Sequence, residues 1–202
     1  MSGPKLEPTP SQTVGPFFGY ALPFPGGADV APAGHPDAIT VHGYVYDGEG
    51  RPIPDAVLDF WQANAGGRYR HRLDQHPAPL DPNFVGAGRC LTGPDGSYRF
   101  LTIKPGPYPW RNHRNAWRPA HIHFSVFGTA FTQRLVTQMY FPGDPLFAFD
   151  PIFQSVADPA AQRRLIAAYE HERSVSEFSL GYRFDIVLDG PSATCFEDEE
   201  NR

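Results

Sequence analysis

Hydrophobic residues are grouped along this chain in short segments bounded by glycine, proline or aspartate, a pattern typical of β-strands separated by turns. Six segments predict strands: 39–46, 57–62, 98–103, 120–126, 135–140 and 182–188. The segment 120–126 alternates apolar and polar residues with a period of two, so alternate side chains should face the same side of a sheet. The pattern therefore predicts a mostly β protein.

One segment in the second half of the chain has the features of an α-helix. Asp158 is a favourable N-cap, and Pro159 suits the first helical position. The helix is predicted to continue to about Glu170. Its apolar side is predicted to consist of Leu165, Ile166 and Tyr169. We expect that side to pack on the sheets.

The composition, taken together with these elements, indicates the fold class. The 202 residues include 23 prolines and 20 glycines spread along the chain, which favours a sandwich over a helical bundle or a doubly wound sheet. The predicted fold is all-β: a β-sandwich with long ordered loops, chiefly 64–89 and 104–117, and one short helix. A chain of this length suits a single domain. We expect an extended arm at 1–38, the sandwich at 39–190 and a tail at 191–202.

Charge is unevenly distributed along the chain. It has 17 basic and 22 acidic residues and a net charge of −5, which argues against nucleic acid as a partner. From Arg68 to Arg118, however, eight arginines and one lysine stand against three aspartates, so this stretch carries +6 and the remainder −11. A positive field there would attract a small organic anion and stabilise phenolates.

The cysteines and the start of the chain lead to an expectation about location. Cys90 and Cys195 provide no disulfide framework. Residues 1–10 contain no apolar run that resembles a signal peptide or a membrane anchor. We therefore expect a cytoplasmic protein without a membrane partner.

The candidate chemistry lies in a His-Ile-His triplet and two distant tyrosines. His121 and His123 are two residues apart on a predicted strand, so both imidazoles can face one metal ion. Tyr69 and Tyr108 lie in the two long loops and can supply phenolate oxygens, which suit ferric iron as a hard acceptor. Two phenolates, two neutral imidazoles and one hydroxide would leave the ferric centre uncharged, as a buried pocket favours. Convergence of the four side chains would make a non-haem iron site.

The segments WQANAGGRYRH (61–71), GPYPW (106–110) and WRPAHIHF (117–124), in this order, resemble the intradiol ring-cleaving dioxygenases, and most closely the protocatechuate 3,4-dioxygenases. The resemblance covers roughly residues 9–196. It implies a β-sandwich that cleaves the ring of a catechol with dioxygen. It also implies a non-haem iron(III) ion bound by Tyr69, Tyr108, His121 and His123.

The same resemblance implies roles for further pocket residues. Arg118 corresponds to an arginine beside the bound catechol, where it would stabilise negative charge on the ring, with a salt bridge or an aromatic stack as its alternative. Gln138 corresponds to a second pocket residue, and Tyr108 to the phenolate that leaves when the catechol binds. The substrate site is further predicted to include Trp110, Gly15 and Pro16. Arg111 and Arg114 are candidates for binding a substrate carboxylate.

The start of the chain resembles a different subunit from the rest. Residues 9–18 are similar to the non-catalytic α chain of the protocatechuate enzymes, whereas the middle and the segment 182–188 are similar to the catalytic β chain. In that family the two homologous chains pair, and both contribute to the active site. The resemblance implies protocatechuate and dioxygen as substrates, and an oligomer of this chain alone or with a homologous subunit.

Three alternatives stay open. The same ligands would serve catechol, hydroxyquinol or another substituted catechol, although catechol-specific relatives carry a helical N-terminal region and nothing before Thr40 is predicted to be helical. A non-catalytic partner chain would explain the α-like start but not the complete ligand set. An iron(II) site of two histidines and a carboxylate is disfavoured, because no Asp or Glu lies in a comparable motif.

Overall fold

The computed structural model describes residues 6–13, 15, 27–110, 117–128 and 134–188. Its strands are β1 (Ala38–Tyr46), β2 (Val57–Trp61), β3 (Ala87–Leu91), β4 (Ser97–Ile103), β5 (Tyr108–Pro109), β6 (Trp117–Arg118), β7 (His121–Phe127), β8 (Arg134–Tyr140), β9 (Ala168–Val175), β10 (Ser179–Arg183) and β11 (Ile186–Val187). The helices are α1 (Pro151–Gln154) and α2 (Pro159–Arg164), preceded by a 3-10 helix (Pro145–Phe149). This content confirms the predicted all-β class.

The strands form two packed sheets and a short ribbon. In the first sheet, β1 pairs with antiparallel β4 on one side and with parallel β10 and β11 on the other, and β9 lies outside β10. The second sheet is antiparallel, in the order β3-β2-β7-β8, and β5 and β6 form the ribbon. Between the sheets, the rings of Phe60 and Phe100 stack with centroids 3.9 Å apart, and Phe124 packs against both. The predicted sandwich is confirmed.

The predicted strand 182–188 is divided into β10 and β11 at Phe184 and Asp185. Gly43 of β1 passes close to this point, since a Cβ atom added to it would lie 2.0 Å from the Phe184 carbonyl oxygen. The Asp185 carboxylate then accepts a hydrogen bond from the Tyr44 N–H at 3.1 Å. A side-chain oxygen thus replaces a backbone acceptor where the strand pairing is interrupted.

The predicted helix begins where expected but ends early. The Asp158 carboxylate accepts hydrogen bonds from the first turn, as an N-cap should. The helix ends at Arg164, and its predicted extension to Glu170 is wrong, because residues 168–175 pair with β10 as strand β9. Leu165 is buried, whereas Tyr169 lies on β9 and is 47% exposed. Pairing with the sheet overrides the local preference for helix.

Several short elements were not predicted. β3 begins within the predicted loop 64–89 and ends beyond it at Leu91, and its one glycine, Gly88, weakens the strand signal. Gly88 is required there by packing, since an added Cβ atom would lie 2.6 Å from Phe60 Cζ. The ribbon begins within the predicted loop 104–117 and ends just beyond it at Arg118, and α1 is a second short helix. Among the described residues, none of the helices has the length and apolar character needed to cross a membrane.

Residues 10–13 of the predicted N-terminal arm lie beside β8. The Gln12 N–H donates to the Val136 carbonyl at 2.7 Å, and the Thr137 hydroxyl donates to the Pro10 carbonyl at 2.8 Å. These bonds bring the arm to the end of the second sheet where the two histidines lie.

Candidate metal centre

His121 and His123 lie on the face of β7 opposite Ile122 and Phe124, which enter the core. Both imidazoles are buried, and their Nε2 atoms are 3.2 Å apart. Trp61 is paired with His123 across β2 and β7, and the two rings stack with centroids 4.9 Å apart and planes 5° apart. The period-two prediction that both imidazoles face one side is confirmed, and the stack fixes one of them in orientation.

Two glycines allow the loops that carry Tyr69 and Tyr108 to approach each other. The Asn64 carbonyl accepts hydrogen bonds from the N–H groups of both Gly67 and Gly106, each at 2.9 Å. A Cβ atom added to Gly67 would lie 2.2 Å from the Pro107 carbonyl oxygen, and one added to Gly106 would lie 2.2 Å from the Ala65 carbonyl oxygen. The two backbones are therefore in direct contact, two residues before each tyrosine.

Substitution of Gly106 by alanine should separate the two tyrosines. We expect the free energy of unfolding to fall by roughly 1–3 kcal/mol because the added methyl overlaps backbone, and the affinity for ferric iron to fall by roughly 10-fold or more because the donors no longer converge. Chemical denaturation and iron titration of the purified protein measure both. Gly27→Ala, where an added Cβ meets no atom within 4 Å, is the matched control and should change neither.

The four candidate donor atoms form a closed ring. Tyr69 OH lies 3.4 Å from Tyr108 OH, which lies 3.2 Å from His121 Nε2. His121 Nε2 lies 3.2 Å from His123 Nε2, which in turn lies 3.1 Å from Tyr69 OH. Bonds of about 2.1 Å are usual for nitrogen and oxygen donors on a transition-metal ion. Donors 3.1 to 3.4 Å apart would then subtend about 95 to 108° at the ion. The ring therefore has the dimensions of a first coordination sphere.

The protonation of the histidines also suits metal binding. The His121 Nδ1–H donates to the Pro119 carbonyl at 2.7 Å, which leaves the Nε2 lone pair directed into the ring. Burial, together with the positive charge of Arg118, holds the pKa of both histidines well below the usual value. Both imidazoles are therefore neutral, the form in which they bind metals.

Without a metal, the pKa values of the two phenols are raised, whereas those of the two histidines are lowered. Burial raises the pKa of Tyr69 well above its usual value, and the neighbouring Tyr108 raises it further. Burial also raises the pKa of Tyr108, although Arg118 opposes the shift. A metal cation would have to supply the stabilisation that makes both groups phenolates. The donor set is thus two phenols that lose protons to a cation and two neutral imidazoles, which fits iron(III).

The lowered histidine pKa values predict that acid destabilises the iron-free protein. Below pH 6.5, the usual histidine pKa, the unfolded chain takes up protons that the folded chain excludes, so the free energy of unfolding falls as the pH falls. Each histidine contributes a slope of up to about 1.4 kcal/mol per pH unit. Denaturation of the apoprotein between pH 7.5 and 5.5 measures the slope. It should be smaller in His123→Gln, and equal slopes would contradict the prediction.

Arg118 is held beside the ring by a buried carboxylate. Its Nε–H donates to Asp150 Oδ1 at 3.1 Å, and its NH2 group donates to Asp150 Oδ2 at 3.0 Å. NH2 also contacts Gln138 Oε1 at 2.7 Å and the Tyr140 hydroxyl at 3.0 Å. The NH1 group, in contrast, lies 3.4 Å from His121 Nε2. The salt bridge that was the alternative for Arg118 therefore exists, and one end of the guanidinium still faces the donor ring.

Of the remaining predicted pocket residues, the structure describes Gly15, Trp110 and Gln138. A Cβ atom added to Gly15, which has φ +73°, would lie 3.4 Å from His123 Cε1, so the arm reaches the donor ring. The Gln138 amide donates to the Thr13 carbonyl at 3.0 Å, which ties the arm to β8. Trp110 follows β5 and is partly buried. The predicted residues Pro16, Arg111 and Arg114 lie outside the described residues.

Sequence patterns did not reveal Asp150, Tyr140 or Gln12 as parts of this site. Asp150 precedes Pro151, which marks an N-cap, but no sequence signal connects it with an arginine 32 positions earlier. The Tyr140 hydroxyl contacts Arg118 and donates to Gln12 Oε1 at 3.3 Å. Within the described ranges, no three side chains among His, Cys, Asp and Glu converge as a metal-binding group, so the histidine-carboxylate alternative has no candidate there.

Comparisons with known proteins agree with this geometry. A family model described as "Dioxygenase" matches residues 27–190. The protocatechuate 3,4-dioxygenase β chain of Burkholderia cepacia is 60% identical over 161 residues, which cover 80% of this chain and 68% of the relative. The α chain from the same organism is 32% identical over 206 residues, which cover 96% of this chain and 98% of the relative.

A solved structure supports the same assignment. The dioxygenase domain of a dioxygenase and carbohydrate-binding protein fusion from Streptomyces sp. SirexAA-E superposes with a TM-score of 0.65 at 32% identity. The match covers 91% of this chain and 99% of that domain. The sequence motifs, the sandwich fold and the similar relatives all point to one family, and the matches extend over nearly the whole chain. This chain therefore belongs to the intradiol ring-cleaving dioxygenases, as an enzyme of the protocatechuate 3,4-dioxygenase β-chain type.

Proposed function

We propose that this chain cleaves protocatechuate between its two hydroxyl-bearing carbons, giving 3-carboxy-cis,cis-muconate, at a non-haem iron(III) ion bound by Tyr69, Tyr108, His121 and His123. The closed ring of four donor atoms 3.1 to 3.4 Å apart carries the proposal. When bound, ferric iron supplies the Lewis acid that takes up a catecholate and makes a ring carbon reactive toward dioxygen. The protein residues hold the ion, orient the substrate and manage protons.

The two tyrosines have different surroundings, which supports different roles. Tyr69 is buried, and its backbone N–H donates to the Asp74 carboxylate at 2.7 Å. Tyr108 is only half-buried and lies on the two-residue strand β5. If a catechol were to replace one phenolate on a bound ion, that side chain would have to move away and take up a proton. Tyr108 is better suited to that role, and Tyr69, His121 and His123 would continue to hold the ion.

Arg118 is the residue that we assign to charge stabilisation at the substrate. Three of its contacts, with Asp150, Gln138 and Tyr140, hold the Nε and NH2 side of the guanidinium. The NH1 group is directed toward His121 Nε2, at the donor ring. A fixed donor at this position can stabilise negative charge on an aromatic substrate bound at the donor ring, at little reorganisation cost.

Protocatechuate, rather than another catechol, is favoured by the difference in identity among the relatives, since a hydroxyquinol 1,2-dioxygenase that matches over 90% of this chain is only 30% identical. The β chain at 60% identity is named for that substrate. The uneven charge also supports it, since the stretch from Arg68 to Arg118 carries +6 and would attract a carboxylate. The α and β relatives are named as chains of one enzyme, and we propose that this chain forms an oligomer, alone or with a homologous subunit.

The test is an assay of this chain expressed alone and loaded with iron(III). We expect a visible absorption band from tyrosinate bound to iron, one iron per chain, and ring-opened product from protocatechuate with a higher kcat/KM than from catechol or hydroxyquinol. Product identification by NMR separates cleavage between the hydroxyl groups, which gives a tricarboxylate, from cleavage beside them, which gives an aldehyde of the same mass.

Other outcomes decide between the alternatives. A coloured protein that prefers catechol or hydroxyquinol would keep the reaction and replace the substrate. A colourless, iron-free chain that raises the activity of a homologous subunit would replace the proposal with a non-catalytic partner chain, in line with the 32% identity to the α chain over 96% of this chain.

A further inference from the structure

The loop that carries Tyr69 returns a carboxylate to the Tyr69 backbone. Tyr69 lies between β2 and β3, outside the strands. Its N–H donates to Asp74 Oδ2 at 2.7 Å, and the His76 N–H donates to Asp74 Oδ1 at 2.8 Å. Hydrogen bonds to a carboxylate are shorter and roughly twice as strong as those between neutral groups. Asp74 therefore joins the backbone of a candidate ligand to a later part of the loop.

Asn64 holds the other end of the same peptide group. The Arg68 carbonyl accepts a hydrogen bond from the Asn64 N–H at 2.8 Å, while the Tyr69 N–H donates to Asp74. Because a peptide group is planar and rigid, fixing both its carbonyl and its N–H fixes its orientation. This peptide group lies just before the Cα atom of Tyr69. The two bonds therefore restrain the direction in which the phenol side chain leaves the backbone.

The direction of the Tyr69 side chain matters because its hydroxyl belongs to the donor ring. The hydroxyl lies 3.1 Å from His123 Nε2 and 3.4 Å from Tyr108 OH. Side chains of a functional site have to stay within about 0.5 Å of the productive geometry, and a rotation of about 10° at the backbone moves a tyrosine hydroxyl further than that. A restraint on the Tyr69 backbone is thus a restraint on the donor ring.

The charge of Asp74 opposes the phenolate form of Tyr69. Burial is the main cause of the raised pKa of Tyr69, Tyr108 adds to it, and the Asp74 carboxylate raises it further. A negative charge near the phenol disfavours the ionisation that a metal ligand requires. The position of the Asp74 oxygens, which hold the backbone, is what favours the site.

We propose that Asp74 is a positioning residue that acts through Tyr69: its carboxylate holds the Tyr69 N–H, and this keeps the phenol hydroxyl where an iron ion can bind it. The inference rests on the proposed function and adds a residue that supports a ligand from the backbone side. It assigns the effect to the position of the Asp74 oxygens and not to their charge.

The first experiment compares Asp74→Ala with the parent protein. In titrations with iron(III) against competing chelators of graded strength, we expect the iron affinity to fall by about 10- to 100-fold, the usual cost of removing a group that supports a ligand. In the iron-free protein, amide hydrogen exchange measured by NMR should be at least about 10-fold faster at the Tyr69 N–H, because its acceptor is lost.

Asp81→Ala is the matched control, because Asp81 lies in the same loop and also makes contacts through both carboxylate oxygens. Asp81 Oδ1 accepts from the Asn83 N–H at 2.8 Å, and Oδ2 lies 2.8 Å from His35 Nε2. The variant loses these two contacts, neither of which involves Tyr69. We expect its iron affinity and the exchange of the Tyr69 N–H to stay within about 3-fold of the parent.

Two further variants separate position from charge. Asp74→Asn removes the charge but keeps an oxygen that can accept from the Tyr69 N–H, whereas Asp74→Glu keeps the charge but moves the oxygens by one methylene. We expect Asp74→Asn to bind iron at least about 3-fold more tightly than Asp74→Glu, because misplaced donors are costly. A role of the charge predicts the reverse order. This comparison also decides between the two if Asp74→Ala does not fold.

The Tyr108→Phe background tests which tyrosine Asp74 acts through. Tyr69 is the remaining tyrosine of the donor ring in that background. Adding Asp74→Ala should therefore still lower the iron affinity by about 10-fold or more, and it should weaken the visible band that arises from Tyr69 on iron.

Any of five results would overturn the inference: an iron affinity of Asp74→Ala within about 3-fold of the parent, unchanged exchange of the Tyr69 N–H, an equal loss in Asp81→Ala, no advantage of Asp74→Asn over Asp74→Glu, or disappearance of the effect in the Tyr108→Phe background. Each of these, in a parent protein that binds iron and opens the ring, leaves the proposed function intact. A parent that binds no iron and opens no ring would instead contradict the proposed function.

Discussion

Replacement of His123 by alanine should abolish iron binding and, with it, turnover. His123 Nε2 closes the donor ring, at 3.1 Å from Tyr69 OH and 3.2 Å from His121 Nε2. Loss of residues that merely support a ligand costs roughly 10- to 100-fold in metal affinity, so loss of a ligand should cost more than about 100-fold. We expect the visible band to disappear and turnover to fall by more than about 10³-fold. Iron analysis, absorption spectra and product formation measure the three effects.

The stack of His123 on Trp61 calls for a stability control. Denaturation of the apoprotein shows whether the variant is folded. His42→Ala is the matched histidine variant, because His42 is a partly buried residue of β1 in the other sheet and pairs with Glu170 at 3.1 Å. It should lose some stability but retain iron and colour. A folded His123→Ala protein with full iron content would contradict the assignment of this residue.

Replacement of Arg118 by alanine should separate iron binding from catalysis. The iron content should be retained, because Asp150 remains near the site and its negative charge favours a cation. The value of kcat should fall by roughly 10²- to 10³-fold, the usual cost of removing one preorganised donor. Steady-state kinetics of the variant loaded with iron, with iron content measured in the same samples, test this expectation.

The matched control for Arg118→Ala is Arg89→Ala. Arg89 also forms a bidentate pair with a buried carboxylate, that of Asp59, with distances of 2.6 and 2.9 Å, but it lies on β3 away from the donor ring. Both variants leave a buried carboxylate unpaired, so both should lose stability, by about 3–5 kcal/mol if fully buried. Only Arg118→Ala should lose turnover. Equal kcat values for the two variants would contradict the assignment of Arg118 to charge stabilisation at the substrate.

The sheets and the histidine pair were predictable because their signals are local. The triplet His121-Ile122-His123 needs only the period of a strand to place both imidazoles together. The N-cap Asp158 is likewise a local signal. The association of Tyr69 with Tyr108 was available only from the family resemblance, because it depends on contacts of Gly67 and Gly106 with backbone far away in sequence.

The parts that sequence patterns missed depend on long-range pairing. Residues 168–170 continue a helical pattern but become β9, because β10 offers backbone partners. β3 contains a glycine among neighbours with weak strand preference, and its place is set by packing against Phe60. Asp150 is one of several aspartates that precede a proline, and only the folded chain distinguishes it by contact with Arg118.

The N-terminal arm has a thermodynamic consequence. It contributes the Gln12 acceptor to Tyr140, the Thr13 acceptor to Gln138 and the approach of Gly15 to His123. These groups are joined to the rest of the site by the chain itself, so their effective concentration at the site does not change when the protein is diluted. The entropy lost in ordering them belongs to folding rather than to association, and this side of the pocket stays in place at any subunit concentration.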